Sequence, residues 1–167
     1  MEDKALKLLD ACLEAYDAYH VSKDVTGDGK KETFCNFSVD HVLARMGYEK
    51  MRDGGKPMMA NQMIDFLKRK TEDWEKIGMD KAQVLANAGR VVLAGLVDEP
   101  HGHVVVVRPG LEDVSGNWGG ARVPKVSHVG GTSYIGRGVN YAFKSIPDFW
   151  VLKETEDVKI PSRLPLV

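Results

Sequence analysis

The apolar residues of this chain change their spacing once, near residue 90, and that change constrains the fold more than any other feature. Before it they recur at three- and four-residue intervals. Ala5, Leu8, Leu9, Cys12, Tyr16 and Tyr19 form one set; Cys35, Val39, Val42, Leu43 and Met46 a second; Ala60, Met63, Ile64 and Leu67 a third. Each set lies along one face of a helix. A shorter helix is expected over 80–88, closed by Gly89. Beyond it, RVVLAGL and HVVVVRP are short β-branched runs bounded by Gly and Pro, which read as strands. PKVSHVG, GVNYAF and DFWVLK are further strand candidates, and KIPSRLPLV reads as a tail. Helices first and strands second, without βαβ alternation, predict an α+β domain whose N-terminal helices pack on a small antiparallel sheet.

A chain of 167 residues suits one compact domain, so 1–167 is read as a single unit. Its 43% apolar and 28% charged residues are enough to build a core without disulfide staples. The formal net charge is -1, and the basic residues form no block, which argues against a nucleic-acid-binding role. No apolar run approaches the roughly 20 residues of a spanning helix. The opening MEDKALKLLDACLEAYDAYH mixes charges into its apolar positions and does not read as a secretory signal. Synthesis in the cytoplasm is therefore expected, with Cys12 and Cys35 both reduced.

Cys35 and His103 are the residues best placed for chemistry. With Thr33 as N-cap and Gly47 as stop, the second helix starts near Cys35. The sulfur then lies beside unpaired backbone N–H groups and the positive end of the dipole, both of which favour thiolate. His103 opens the run GHVVVV, at one end of a core strand, with Gly102 leaving room for close approach. A base at a strand mouth facing a sulfur at a helix start is an arrangement suited to nucleophilic catalysis.

TFCNFSVDHVL followed by GHVVVVRPG resembles the two core motifs of the NlpC-type and CHAP-type cell-wall peptidases. The resemblance spans roughly residues 33–143. It implies a papain-like fold with Cys35 as nucleophile and His103 as base. It also implies hydrolysis of peptide or amide bonds in bacterial peptidoglycan through a thioester, with no metal and no organic cofactor. A third polar residue on the next strand orients the imidazole in this family. His128 in PKVSHVG is the first choice and Asn140 the reserve, Ser127 pointing to the opposite face of a regular strand. The oxyanion site would use the backbone N–H of Cys35, with Asn36 and Tyr19, or Tyr16, as side-chain helpers. A peptidoglycan peptide is the partner implied. A chain without a leader would reach it as a phage lysis enzyme or through a secretion machine.

Three other readings compete. DVTGDGKKE places Asp24, Thr26 and Asp28 at positions 1, 3 and 5 of a calcium loop, yet position 12 is Cys35 where a bidentate Glu is required, and Glu32 falls at position 9. His101 and His103 share one face of a strand and, with His128, would make a three-histidine metal site. The same fold would also serve as a non-catalytic binding or immunity-type module, with Trp118 as an exposed aromatic on a partner surface or in a substrate cleft.

Overall fold

A computed structural model describes residues 3–154 of the chain. The expected tail, KIPSRLPLV, lies outside the described residues. The helical periods fold as α1 (Asp3–Tyr19), α2 (Cys35–Arg45), α3 (Ala60–Arg69) and α4 (Met79–Asn87). In α1 the buried set is Ala5, Leu8, Ala11, Cys12 and Ala15; of the residues that the spacing marks out, Ala5, Leu8 and Cys12 are buried, whereas Leu9, Tyr16 and Tyr19 are only half-buried. Gly47 stops α2 with φ +88°, a left-handed conformation that glycine adopts without steric cost.

In chain order the strands are β1 (Arg52–Asp53), β2 (Lys56–Pro57), β3 (Trp74–Ile77), β4 (Val92–Leu96), β5 (His103–Val107), β6 (Asp113–Val114), β7 (Arg122–Val123), β8 (Lys125–His128), β9 (Tyr134–Gly138) and β10 (Asp148–Leu152). Six of them form one sheet in the order β3-β10-β4-β5-β8-β9, every neighbour antiparallel. The two short hairpins, β1–β2 and β6–β7, stand apart from it. Four helices with an antiparallel sheet give the α+β class expected from the sequence. No helix among the described residues is long and apolar enough to cross a membrane.

Two expectations about the strands are corrected. The helical half contributes a strand of its own, since β3 precedes α4 and pairs with β10 at one end of the sheet. Its sequence WEKI carries two charges between its apolar ends, and it is held by the burial of Trp74 (2% exposed) and by ladder bonds to a partner far along the chain. GVNYAF is not a strand. The strand is the preceding YIGRG, and residues 139–141 turn into a short 3-10 helix once the Val139 N–H is taken by Pro124 O at 2.9 Å.

Strand β5 lies at the centre of the architecture. Val104, Val105, Val106 and Val107 are all buried, so both faces of the strand are covered, and the run lacks the alternation of a half-exposed strand. Each such side chain contributes about 1.5–3 kcal/mol relative to an exposed one. The strand is anchored on one side to β4, where Leu96 pairs with His103, and on the other to β8, where Val106 pairs with Ser127. That pairing fixes which residues can share a face with His103.

Candidate active site

Cys35 is the first residue of α2. Thr33 does not cap the helix as expected. The N-cap is Phe34, without a side-chain hydrogen bond, because its ring is drawn into a cluster with Tyr19 and Phe37. The uncapped first turn leaves its N–H groups to the sulfur. The Cys35 thiol is approached by the backbone N–H groups of Val104, Asn36 and Cys35 itself. Burial nevertheless pushes the thiol above its ordinary range, and those three donors only oppose the shift. The expectation that the helix start favours thiolate is thereby corrected: at 8% exposure, desolvation outweighs the first-turn dipole.

The Val104 N–H belongs to the residue that follows His103, so the sulfur lies against the start of β5. His103 keeps some exposed surface, but its Nε2 is fully buried and without a hydrogen-bond partner among the described residues. Its ring meets that of His128 edge to face, with centroids 4.7 Å apart, and rests on Phe143 at 5.2 Å. Burial, and secondarily the nearby His128, lowers the His103 imidazole to about 3. Burial alone lowers His128 to about 4. Both rings are therefore neutral near pH 7.

Register explains why His128, rather than Ser127, meets His103. Ser127 faces Val106, so the same ladder sets His128 beside Val105, which shares a face with His103. Asn140 is elsewhere: its Nδ2 donates to Asn117 Oδ1 at 2.9 Å, tying the 3-10 turn to the Gly-rich connection.

An open cleft of about 680 Å³ leads to Cys35 and Asn36. One wall is the segment 28–33; another is the start of α3 with Pro100, His101 and Gly102. Asn61 of α3 braces this last wall, donating to Asp98 O at 2.9 Å. A Cβ on Gly102 would collide with Asn61 Oδ1 and lie 2.9 Å from Leu96 O, so the approach to His103 has room only for glycine. A larger hollow of about 720 Å³ lies between Lys4, Tyr48, Arg90 and Leu152 and is lined by neither cysteine nor histidine. Two of its lysines are paired, Lys4 with Glu154 and Lys50 with Asp73.

The helper residues expected from the sequence are placed otherwise. Asn36 lines the cleft, but its amide donates to Met58 O at 3.0 Å and is committed to holding the loop before α3. Tyr19 packs among Phe34, Phe37 and His41, and Tyr16 donates to Ser133 O at 3.4 Å. Trp118 is half-buried against the core with its indole N–H enclosed, and it does not line the cleft. The three-histidine metal site does not form among the described residues. His103 and His128 meet, but His101 is exposed, precedes β5 and lines the cleft. Asp24, Asp28 and Glu32 do converge, with ligand atoms within 4.8 Å of one another. They also close their own turn: Gly27 and Gly29 donate to Asp24, and Val25 and Thr26 to Glu32.

Compared with known proteins, the chain matches no family model and no curated sequence.

The geometry gathers a thiol, three backbone donors and two neutral imidazoles at the junction of α2, β5 and β8. A neutral thiol and a neutral imidazole are the groups that proton transfer from sulfur to nitrogen needs, and backbone N–H groups are the donors that a developing negative charge needs. Sequence reasoning missed Tyr134, whose ring lies 4.6 Å from His128. The signal that finds it is the hairpin register, in which His128 pairs with Tyr134 across the turn VGGTS.

Proposed function

We propose that the protein is a papain-like cysteine hydrolase of the NlpC or CHAP kind, cleaving peptide or amide bonds in bacterial peptidoglycan as an endopeptidase or amidase. The observation that carries the reading is the Cys35 sulfur at the first residue of α2, within reach of the Val104 N–H and so beside the strand that His103 opens. The substrate class comes from the resemblance of TFCNFSVDHVL and GHVVVVRPG to the cell-wall peptidases.

The resting pair is neutral, so attack and proton transfer proceed together. As Sγ bonds to the carbonyl carbon, its proton passes to His103, and the carbonyl oxygen gains negative charge near the Cys35 N–H. His103 then protonates the departing nitrogen, the C–N bond breaks, and a thioester remains on Cys35. Water gives one proton to His103 as it attacks the thioester. Return of that proton to sulfur releases the carboxylic acid and restores the thiol. His128 orients the His103 ring throughout.

The test is digestion of purified peptidoglycan by wild type, Cys35→Ser and His103→Ala, with released fragments read by mass spectrometry. New amine and carboxyl ends that appear only with wild type support the proposal. Intact peptidoglycan, together with Cys35 alkylation that ignores His103→Ala, sinks it. The non-catalytic binding module would then lead, a reading favoured by the burial that keeps both the thiol and the imidazole neutral.

A further inference from the structure

The hollow of about 720 Å³ shares no lining residue with the cleft at Cys35. Its volume is that of a small-molecule site. Its charges do not balance, since five cations (Lys4, Lys7, Lys50, Arg90 and Lys153) line it against three carboxylates.

Three of the cations stand together around one carboxylate. Lys4 Nζ lies 3.6 Å and Arg90 Nε 3.7 Å from the same oxygen of Glu154, both longer than a hydrogen bond. Lys7 follows Lys4 by one turn of α1 and forms no ion pair among the described residues. Arg90 Nη2 donates to Leu152 O at 2.9 Å, a neutral acceptor, and its Nε is buried without a hydrogen-bond partner among the described residues. The two remaining carboxylates are engaged by other groups. Asp73 accepts from Tyr48 Oη at 2.8 Å and from Lys50 Nζ at 3.1 Å, and Glu72 pairs with Lys70 at 2.8 Å. Positive charge is therefore left uncompensated beside Lys4, Lys7 and Arg90.

The rest of the lining is of the opposite character. Tyr48 and Val91 are buried core residues, and Met46 and Leu152 pack against that core. A bare inorganic anion would leave this apolar surface wet. A neutral hydrocarbon would leave the cations unmatched. A ligand that satisfies both carries an apolar body and one negative end.

We propose that this hollow is a binding site for a small aliphatic carboxylate, its hydrocarbon body against Met46, Tyr48, Val91 and Leu152 and its charged end toward Lys4, Lys7 and Arg90. The carboxylate adds to Glu154 the second negative charge that the three cations lack. The buried Arg90 Nε is closed to a ligand, so the attraction there is one of charge and not a bond to that atom.

The test titrates the full-length protein with octanoate and follows the amide ¹H–¹⁵N spectrum. Two controls divide the ligand: 1-octanol lacks the charge and acetate lacks the body. Octanoate is expected to shift the signals of Gly47, Gly89 and Arg90 saturably and to bind about tenfold or more tightly than either control. Lys7→Glu reverses one exposed charge and is expected to weaken octanoate about tenfold. Equal binding of octanoate and 1-octanol overturns the proposal by making the hollow merely apolar; equal binding of octanoate and acetate makes it merely charged. Absence of shifts at about 10 mM octanoate, or shifts confined to cleft residues such as Asn36 and Gly102, also overturns it. So does a folded Lys7→Glu that binds octanoate as wild type does. Cys35→Ser and His103→Ala are expected to bind octanoate unchanged, so uncut peptidoglycan would sink the hydrolase reading and leave this result untouched.

Discussion

The rings of His103 and His128 meet edge to face, centroids 4.7 Å apart, and they do so over Gly130. A methyl group at residue 130 would press on His128 Nε2 at 3.0 Å, tighter than ordinary contact, and would touch His103 Cε1 at 3.4 Å. Gly130→Ala is therefore expected to push the rings apart and to cost about 1–3 kcal/mol in overpacking. Urea unfolding measures the stability loss, and, under the proposed hydrolase reading, loss of peptidoglycan cleavage measures the displacement. A variant as stable and as active as wild type would show that the loop yields without moving either histidine.

Acid should destabilise the fold through the same two rings. Burial lowers His103 to about 3 and His128 to about 4, against roughly 6.5 in the unfolded chain. Between those values the unfolded state binds the protons and the native state does not, so stability rises with pH and falls as pH drops below about 6.5. Each fully shifted group contributes a slope of up to about 1.4 kcal/mol per pH unit in that window. Denaturant unfolding of wild type and His103→Gln from pH 7 to pH 4.5 gives the comparison. The variant should lose stability less steeply; parallel curves would mean that His103 is charged, or solvated, in the native state.

Much of the site is legible in the sequence because it depends on spacing within single elements. Cys35 at a helix start, His103 at the mouth of a valine run and His128 on the neighbouring strand all follow from local patterns. What is not legible depends on partners distant in the chain. Trp74 becomes part of a strand because β10 pairs with it, and Asn140 turns away because Asn117 takes its amide. Phe34 displaces Thr33 as cap because Tyr19 of another helix offers it a ring. The ionisation of Cys35 reverses for the same reason. The first-turn donors are local and visible in advance, whereas the burial that outweighs them is set by the packing of α2 against the sheet.

Gly102 and Asn61 should show coupled effects on stability. A Cβ at residue 102 meets the Asn61 carboxamide on one side and the Leu96 carbonyl, at 2.9 Å, on the other. Gly102→Ala alone is expected to cost about 1–3 kcal/mol. Asn61→Ala removes the first obstacle but also the 2.9 Å bond to Asp98 O, worth about 1 kcal/mol. The double variant should thus be more stable than the sum of the two single losses, yet short of wild type, because the Leu96 carbonyl remains. Strict additivity in a double-mutant cycle would show that the side chain of Asn61 is not what restricts residue 102.

Alkylation of the two cysteines against pH separates helix-dipole activation from desolvation. Burial raises Cys12 to about 12, with Arg108 opposing, and raises Cys35 against the pull of three backbone donors. Cys12 should therefore stay unlabelled in the folded protein, and Cys35 should label with an apparent pKa above the free value of about 8.5. In the proposed mechanism the thiol loses its proton only during attack on the substrate carbonyl, so a cleavage rate at neutral pH need not follow the small thiolate fraction. The comparison is made by iodoacetamide labelling and mass spectrometry of wild type and Cys12→Ala between pH 6 and pH 10. A Cys35 labelling pKa well below 8.5, abolished in His103→Ala, would instead make the thiolate–imidazolium pair the resting state, and the donors at Cys35, Asn36 and Val104 would then outweigh the burial that opposes them.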